Sequence, residues 1–373
     1  MGFFLKKLFF FSLPLIAILL FPFLLFYANG EFIPARRIVA MTLGGQPMIV
    51  EKILPFWGAE YSKINIIKIK KPAIITLGNS RVLQFRREFF EGDVFYNGGG
   101  IGNLSGFRKA IENLNDDEKP KIILLGLEQS YFNPFNDNHE IPDLTLANNG
   151  GNAKLPVNLL NAWRSVYTNV FSGKYALRQL WSRRSEDITR IGLPANVKNS
   201  GMRNDGSYDY GDAYAIDDER NNDFQFKDTL RRMEKGVNLF YHGDEISENS
   251  IAILAEFLKY CRNRNIQVIG FLPPYAQEIY DKMKLSGKYR YVFKLEEKLK
   301  SIFKKNNFSF FDFSDLRSFE GETDEIVDGL HASEAAYRKL FLKMAEADSK
   351  LKAYAAKPGS DHDHRRPDDI IIQ

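Results

Sequence analysis

The sequence predicts an α/β protein, a parallel sheet with helices on both faces, carried behind one N-terminal transmembrane helix and interrupted by a large insert. Three observations predict it. Short apolar runs ending in Gly, Asn and Ser alternate with helix-periodic segments. An uncharged run of 21 residues, Leu8 to Ala28, stands near the start. Between Phe132 and Gly243 the alternation gives way to a stretch rich in Asn, Gly and Asp, and a segment of that size inside a compact domain is an inserted subdomain or lid.

The run from Leu8 to Ala28 reaches roughly 30 Å as a helix, the thickness of a bilayer's hydrocarbon core. Lys6 and Lys7 precede it, and Glu31, Arg36 and Arg37 follow it, which favours the N-terminus inside and the remaining chain outside. Tyr27-Ala28-Asn29-Gly30 is a poor cleavage site, so an uncleaved anchor is expected in place of a removed signal peptide. A buried core helix is the other reading of the run. Residues 31 to 70 read as a stalk packed on the body.

Pro72 to Leu77, PAIITL, is the first strand, ending in Gly78-Asn79-Ser80 before a segment, VLQFRREFF, with amphipathic helical spacing. Asp93 to Tyr96 is the second strand, ending in Asn97-Gly-Gly-Gly-Ile-Gly102, with a helix over Leu104 to Leu114. Lys121 to Leu125 is the third. After the insert come a helix over Ser250 to Arg262, a strand over Gln267 to Leu272, a helix over Leu295 to Lys305, a strand over Phe308 to Phe313 and a helix over Ser333 to Ala345. Sheets built this way bind ligands at the carboxyl ends of their strands. The insert holds an amphipathic piece around Leu159 to Trp181, and the Asp205-Gly206 turn signal within Gly201 to Tyr208 marks a hairpin tip. The tail from Lys357 reads as disordered, with His362 and His364 solvated in it. The expected organisation is a cytoplasmic stub and anchor (1–30), the stalk (31–70), the α/β domain (71–131 and 244–350), the insert (132–243) and the tail (351–373).

Composition removes several function classes. Fifty-one basic and 47 acidic residues leave a net charge of +4, too weak a field to make nucleic acid a default partner. The lone cysteine, Cys261, can form neither an internal disulfide nor a thiolate metal site. Asn97 to Gly102 resembles a dinucleotide-binding loop only in part, because no acidic residue stands at a strand end about twenty positions on. No cofactor is expected.

Three strand ends remain as a candidate site. Ser80, at a strand-to-helix turn, can present its hydroxyl at the sheet edge with backbone N–H groups nearby for an oxyanion, or it can serve as a simple helix cap. Asp328-Gly-Leu-His331 places a carboxylate and an imidazole three residues apart, a spacing at which the Asp can fix the imidazole tautomer while the other ring nitrogen faces a nucleophile. Asp315 or Asp324 could assist Asp328.

Gly78-Asn79-Ser80 after one strand, Asn97-x-Gly99-x-x-Gly102 after the next, and Asp328-x-x-His331 before the last helix together resemble the SGNH (GDSL-type) hydrolase family. The resemblance covers about residues 70 to 135 and 250 to 345. It implies a flavodoxin-like sheet with Ser80 as nucleophile, His331 as general base and acid, and Asp328 as its orienting carboxylate. It also implies an oxyanion hole from the backbone of Ser80 and Gly102. The third block departs from the pattern: where the family has Gly-x-Asn-Asp, this chain has Gly126-Leu127-Glu128-Gln129. An ionised Glu128 cannot donate a hydrogen bond, so either Gln129, one place later, supplies the third donor, or the site is slow or specialised for transfer, or it is no longer catalytic. Arg81, Asn97, Glu128, Tyr131 and Arg203 are candidate substrate-binding residues, with Arg81 either meeting an anionic group or pairing with a local carboxylate. Tyr131, Phe132, Trp163 and Tyr208 either line a sugar cleft or pack in the core, and Pro273-Pro274-Tyr275 would shape the pocket rim.

The anchor, Gly126 to Asn133 and the polar insert are more similar to bacterial envelope acyl-transfer proteins, such as the D-alanyl transfer protein of teichoic acid modification and the alginate O-acetylation proteins. That likeness implies a single-pass protein of the cytoplasmic membrane with its body on the extracytoplasmic side, acting as a serine esterase or O-acyltransferase on a cell-surface polysaccharide. Its partners would be the membrane, an acyl donor and a membrane-bound O-acyltransferase. The alternative is a non-catalytic protein of the same fold that binds glycan or scaffolds such a complex.

Overall fold

The computed structural model describes residues 2–54, 59–101, 103–136, 155–175, 187–211, 219 and 221–357. Its regular elements begin, in chain order, with α1 Gly2–Ala28, α2 Ala35–Leu43, β1 Met48–Val50, α3 Ala59–Lys70, β2 Ile74–Leu77, β3 Phe95–Asn97, α4 Leu104–Glu112 and β4 Ile122–Gly126. Then come α5 Leu155–Phe171, β5 Thr189–Ile191, α6 Leu193–Lys198, β6 Gly201–Met202 and β7 Tyr208–Asp209. The chain continues with α7 Lys227–Lys235, α8 Glu248–Asn263, β8 Gln267–Leu272, α9 Gln277–Ser286, α10 Arg290–Lys305, β9 Ser309–Asp312, α11 Glu334–Ala347 and α12 Ser349–Lys352. The described residues fall into two compact units, those within 1–66, 143–204 and 208–214, and those within 67–142, 205–207 and 215–373.

The larger unit is the α/β one. Its five strands lie in the order β3-β2-β4-β8-β9, and every neighbouring pair is parallel. Counted within this sheet the order is 2-1-3-4-5, the flavodoxin-like arrangement, whose switch point lies between β2 and β4. All the residues of β2 and β4 are buried, which is why both read as unbroken apolar runs rather than alternating ones. The flanking helices start on side-chain caps, Asn103 for α4, Ser247 for α8 and Ser333 for α11. Helix α10 buries Tyr291, Val292, Leu295, Leu299, Ile302 and Phe303, the three-and-four spacing of one face.

After β2 the sequence leads one to expect a helix, and the structure holds two short 3₁₀ turns instead, Ser80–Val82 and Arg87–Phe89. Asn97 explains the difference. Its Nδ2 donates to the carbonyls of Val82 and Phe85 at 2.9 Å each, and these are acceptors that a continuing helix would use. Phe85 and Phe90 turn into the core, Phe85 edge-on to Phe271 and Tyr337 and Phe90 stacked on Phe95.

The smaller unit joins the stalk to part of the insert, so neither forms a separate piece. Its sheet runs β5-β1-β6-β7, with β1 parallel to β5 and antiparallel to β6. The hairpin expected over Gly201 to Tyr208 is β6-β7, with Met202 opposite Tyr208 and Gly206 at φ +80°. Helix α1 is long and apolar enough to cross a membrane. Directly after it Glu31, 1% exposed, accepts hydrogen bonds from the backbone N–H groups of Ile53, Leu54 and Leu193 at 3.1, 3.1 and 2.7 Å, tying the end of α1 to the loop after β1 and the start of α6. The described residues among 215–243 of the insert belong to the α/β unit. The tail beyond Lys357 and the part of the expected amphipathic piece beyond Tyr175 lie outside the described residues, save that description resumes at Asp187.

Candidate active site

Ser80 sits one turn past the carboxyl end of β2, at the switch point, and its side chain is exposed. The turn before it is sterically fixed. A Cβ on Gly78, at φ +154°, would lie 2.6 Å from Val82 Cγ1, and a Cβ on Gly99 would lie 2.6 Å from Val82 Cγ2, so both loops must come together as bare backbone. The glycines after β3 thus serve close packing on the Ser80 turn, with Gly100 N–H donating to the Gly78 carbonyl at 2.8 Å. Asn79 accepts from the Arg81 N–H at 2.9 Å and so closes the turn that carries Ser80.

Ser80 Oγ lies 2.9 Å from His331 Nε2, and His331 Nδ1 lies 2.8 Å from Asp328 Oδ2. The three residues thus form a hydrogen-bonded relay of hydroxyl, imidazole and carboxylate. Asp328 Oδ1 accepts from the N–H groups of Leu330 and His331, at 2.7 Å each. Burial pushes the Asp328 carboxyl up, but the charge of His331, its hydrogen bond and those two backbone donors outweigh it and leave the pKa at about 2. The carboxylate is therefore ionised at neutral pH and holds the Nδ1 proton toward itself, which leaves the Nε2 lone pair facing Ser80.

Residues that sequence reasoning missed hold this loop. Asp223, 4% exposed, accepts from the Gly329 N–H at 3.0 Å and from both the backbone and hydroxyl of Thr229. Asn221 Nδ2 donates to the Val327 carbonyl at 2.7 Å. The signal available was the Asn221-Asn-Asp223 cluster just ahead of α7, which read only as polar loop. Tyr337, on α11, donates its hydroxyl to the Arg81 carbonyl and fixes the far side of the Ser80 turn.

Beneath the site lies a buried polar network. Arg81 is 1% exposed and pairs with Glu128, also 1% exposed. Its guanidinium also donates to Gln129 Oε1 at 2.8 Å and to the carbonyls of Pro273 and Pro274 at 2.7 and 2.6 Å, and it lies over the Tyr275 ring, 4.6 Å from its centroid. Burial pulls the Arg81 charge down in favourability, and Glu128 more than restores it. Glu128 accepts in addition from Asn79 Nδ2. The network ties together the ends of β2, β4 and β8 and, through Gln129 and Ser314, β9.

This placement corrects several sequence expectations. Arg81 pairs with a local carboxylate, and Arg81 and Glu128 are too deeply buried to meet substrate. Gln129 does not reach Ser80 as an oxyanion donor: it is fully buried, with Nε2 spent on the Pro273 carbonyl at 2.9 Å and Ser314 Oγ at 2.8 Å. Asn97 is also fully buried and holds backbone, and Tyr131, 7% exposed, packs against Phe107. Tyr275 is buried rather than on a rim. Arg203 belongs to the smaller unit, where it pairs with Asp209 at 3.1 Å. Asp315 engages Arg317 instead of the site. Of the expected oxyanion donors, the Ser80 N–H has no acceptor among the described residues, and Gly102 lies outside them. Among the described residues no cluster of three His, Cys, Asp or Glu side chains is placed to hold a metal ion.

No family model and no curated protein matches the chain. Among solved structures, a provisionally assigned acylhydrolase of Bacteroides fragilis is similar at 10% identity and TM-score 0.34, over 74% of this chain and 87% of that one. A GDSL-like lipase of Bacteroides thetaiotaomicron is similar at 10% identity and TM-score 0.36, over 79% and 98%.

Proposed function

We propose that the protein is a serine esterase or O-acyltransferase, and the observation that carries the reading is the Ser80–His331–Asp328 relay at the switch point of a flavodoxin-like sheet. Ser80 Oγ attacks an ester or thioester carbonyl while His331 Nε2 takes its proton, and Asp328 stabilises the imidazolium that forms. The free Ser80 N–H is positioned to donate to the oxyanion of the tetrahedral intermediate. His331 then returns the proton to the leaving group. In the second half, His331 deprotonates water or a sugar hydroxyl, which takes the acyl group from Ser80.

The finer reading rests on α1 and on the sequence resemblance. The chain is held by α1 in the cytoplasmic membrane with its body outside, and it passes an acyl group to a cell-surface polysaccharide beside a membrane-bound O-acyltransferase. A second reading, glycan binding without catalysis, draws on Gln129, whose committed amide leaves the third block without a donor at Ser80. The test is turnover of an activated acetyl ester by the full chain in detergent, beside Ser80→Ala, His331→Ala and Asp328→Asn. Turnover lost in the first two variants supports catalysis. A folded wild type with no turnover, on this substrate or with an oligosaccharide acceptor added, favours binding.

A further inference from the structure

Helix α5 pairs with α1 in the smaller unit, and the pairing is built on a defect in α1. Pro22 has no N–H, so the carbonyl four residues earlier, that of Ile18, loses its helical donor. The Tyr167 hydroxyl donates to that carbonyl, and the Trp163 indole N–H reaches the next one, Leu19, at 3.4 Å. Phe21 packs on Tyr167 at 6.1 Å between ring centroids. In water such a carbonyl would simply be hydrated, whereas in hydrocarbon it needs a protein donor.

The level at which α5 meets α1 follows from length. Counted from Leu8, the first residue after Lys6 and Lys7, the run to Ala17 supplies about 15 Å of helix, roughly half of the ~30 Å hydrocarbon core. The anchor therefore has not left the bilayer where Tyr167 and Trp163 join it at Ile18 and Leu19.

The side chains of α5 divide accordingly. One face, with Ala162 and Val166 at its centre, is buried against Leu25, Phe26 and Leu54. A second sector leaves Leu160 65% and Phe171 84% exposed, with Tyr167 between them at helical spacing. The third carries Asn161, Arg164 and Thr168, all exposed. A helix with an apolar sector left over beyond its protein contact and a separate polar sector suits an interfacial position.

We propose that α5 is a second membrane-contacting element, lying along the outer half of the hydrocarbon beside α1 with Leu160, Tyr167 and Phe171 against lipid acyl chains and Arg164 and Thr168 turned toward the aqueous boundary. The proposal rests on the reading of α1 as a membrane span. It assigns the insert a role in seating the protein on the bilayer.

The test places single spin labels on the full chain in vesicles of phosphatidylcholine and phosphatidylglycerol, at Phe11→Cys in α1 and at Leu160→Cys, Phe171→Cys and Thr168→Cys in α5. Native Cys261 is buried, and burial pushes its thiol up to about 12, so it does not compete for the label. Accessibility to oxygen, which partitions into lipid, is compared with that to a water-soluble nickel complex. The proposal expects positions 160 and 171 to match position 11, with nickel accessibility about tenfold or more below that at 168, because a polar metal complex is excluded from hydrocarbon. Label 11 in lipid with 160 and 171 open to nickel overturns the proposal and leaves the anchor intact. Labels 160 and 171 closed to both reagents overturn it in favour of self-association. Label 11 open to nickel overturns the anchor reading and the proposal with it.

Discussion

Replacing Arg81 with methionine isolates what the buried network does for the site. The change keeps an unbranched side chain of similar length but removes the guanidinium that serves Glu128, Gln129, Pro273 and Pro274. The main cost is electrostatic. Glu128, fully buried, is left with Asn79 as its one remaining donor among the described residues, and stranding one member of a buried ion pair costs about 3–5 kcal/mol. Urea unfolding of the full chain in detergent, followed by tyrosine and tryptophan fluorescence, measures it. The sign of the pH dependence is specific: the stranded carboxylate can take a proton, so the variant recovers stability as pH falls from 8 to 5. A packing defect alone would not recover. The double variant Arg81→Met, Glu128→Leu removes both charges and is expected to regain most of the loss. An Arg81→Met protein within about 1 kcal/mol of wild type, or one whose deficit is the same at pH 8 and pH 5, would show that no buried charge is stranded, because either the size or the pH dependence of that loss would then be missing.

Three further outcomes follow from the geometry. Asp328 has its pKa depressed to about 2 from 3.8, so its contribution, roughly 2 kcal/mol at 1.36 kcal/mol per unit, is present above pH 4 and lost as pH falls toward 2. Asp328→Asn should flatten wild-type acid unfolding in that window. Asp223→Ala frees the Gly329 N–H and both groups of Thr229, and the loop carrying His331 should loosen. A loss of about 1–3 kcal/mol and a slower reaction at Ser80 are expected, read by unfolding and by labelling rate, and an unchanged rate would show that the loop holds itself. Asn97→Ala releases four buried partners, the Thr76 hydroxyl, the Gly99 N–H and the carbonyls of Val82 and Phe85. The variant should lose more than about 3 kcal/mol, and thermal unfolding of the pure protein checks it.

Most of the sheet was legible because β2, β4 and nearly all of β8 are buried and so are written as apolar runs, and because a Gly or Pro stands at an end of β2, β3, β4 and β8. The relay was legible because its members come in short local motifs, Gly78 to Ser80 and Asp328 to His331. What the sequence hid is long-range. The segment Val82 to Phe90 has helical spacing, yet Asn97, 15 residues beyond Val82, takes the carbonyls a helix would need. Arg81 and Glu128 look like surface charges in isolation, and only the parallel pairing of β2 with β4 brings them together. The stalk and insert join through the pairing of Met48 with Thr189, a three-residue match that no periodicity reveals. Asp223 lies in a polar stretch whose spacing gives no reason to place it beneath Gly329.

Whether Ser80 is an activated nucleophile is decided by covalent trapping. The full chain is reacted with a fluorophosphonate and digested, and the adduct is located by mass spectrometry, with His331→Ala alongside. A single phosphonate on the peptide bearing Ser80 is expected, formed far more slowly in His331→Ala. An unmodified Ser80 in folded wild-type protein, or labelling indifferent to His331, would show that Ser80 is not activated by the imidazole.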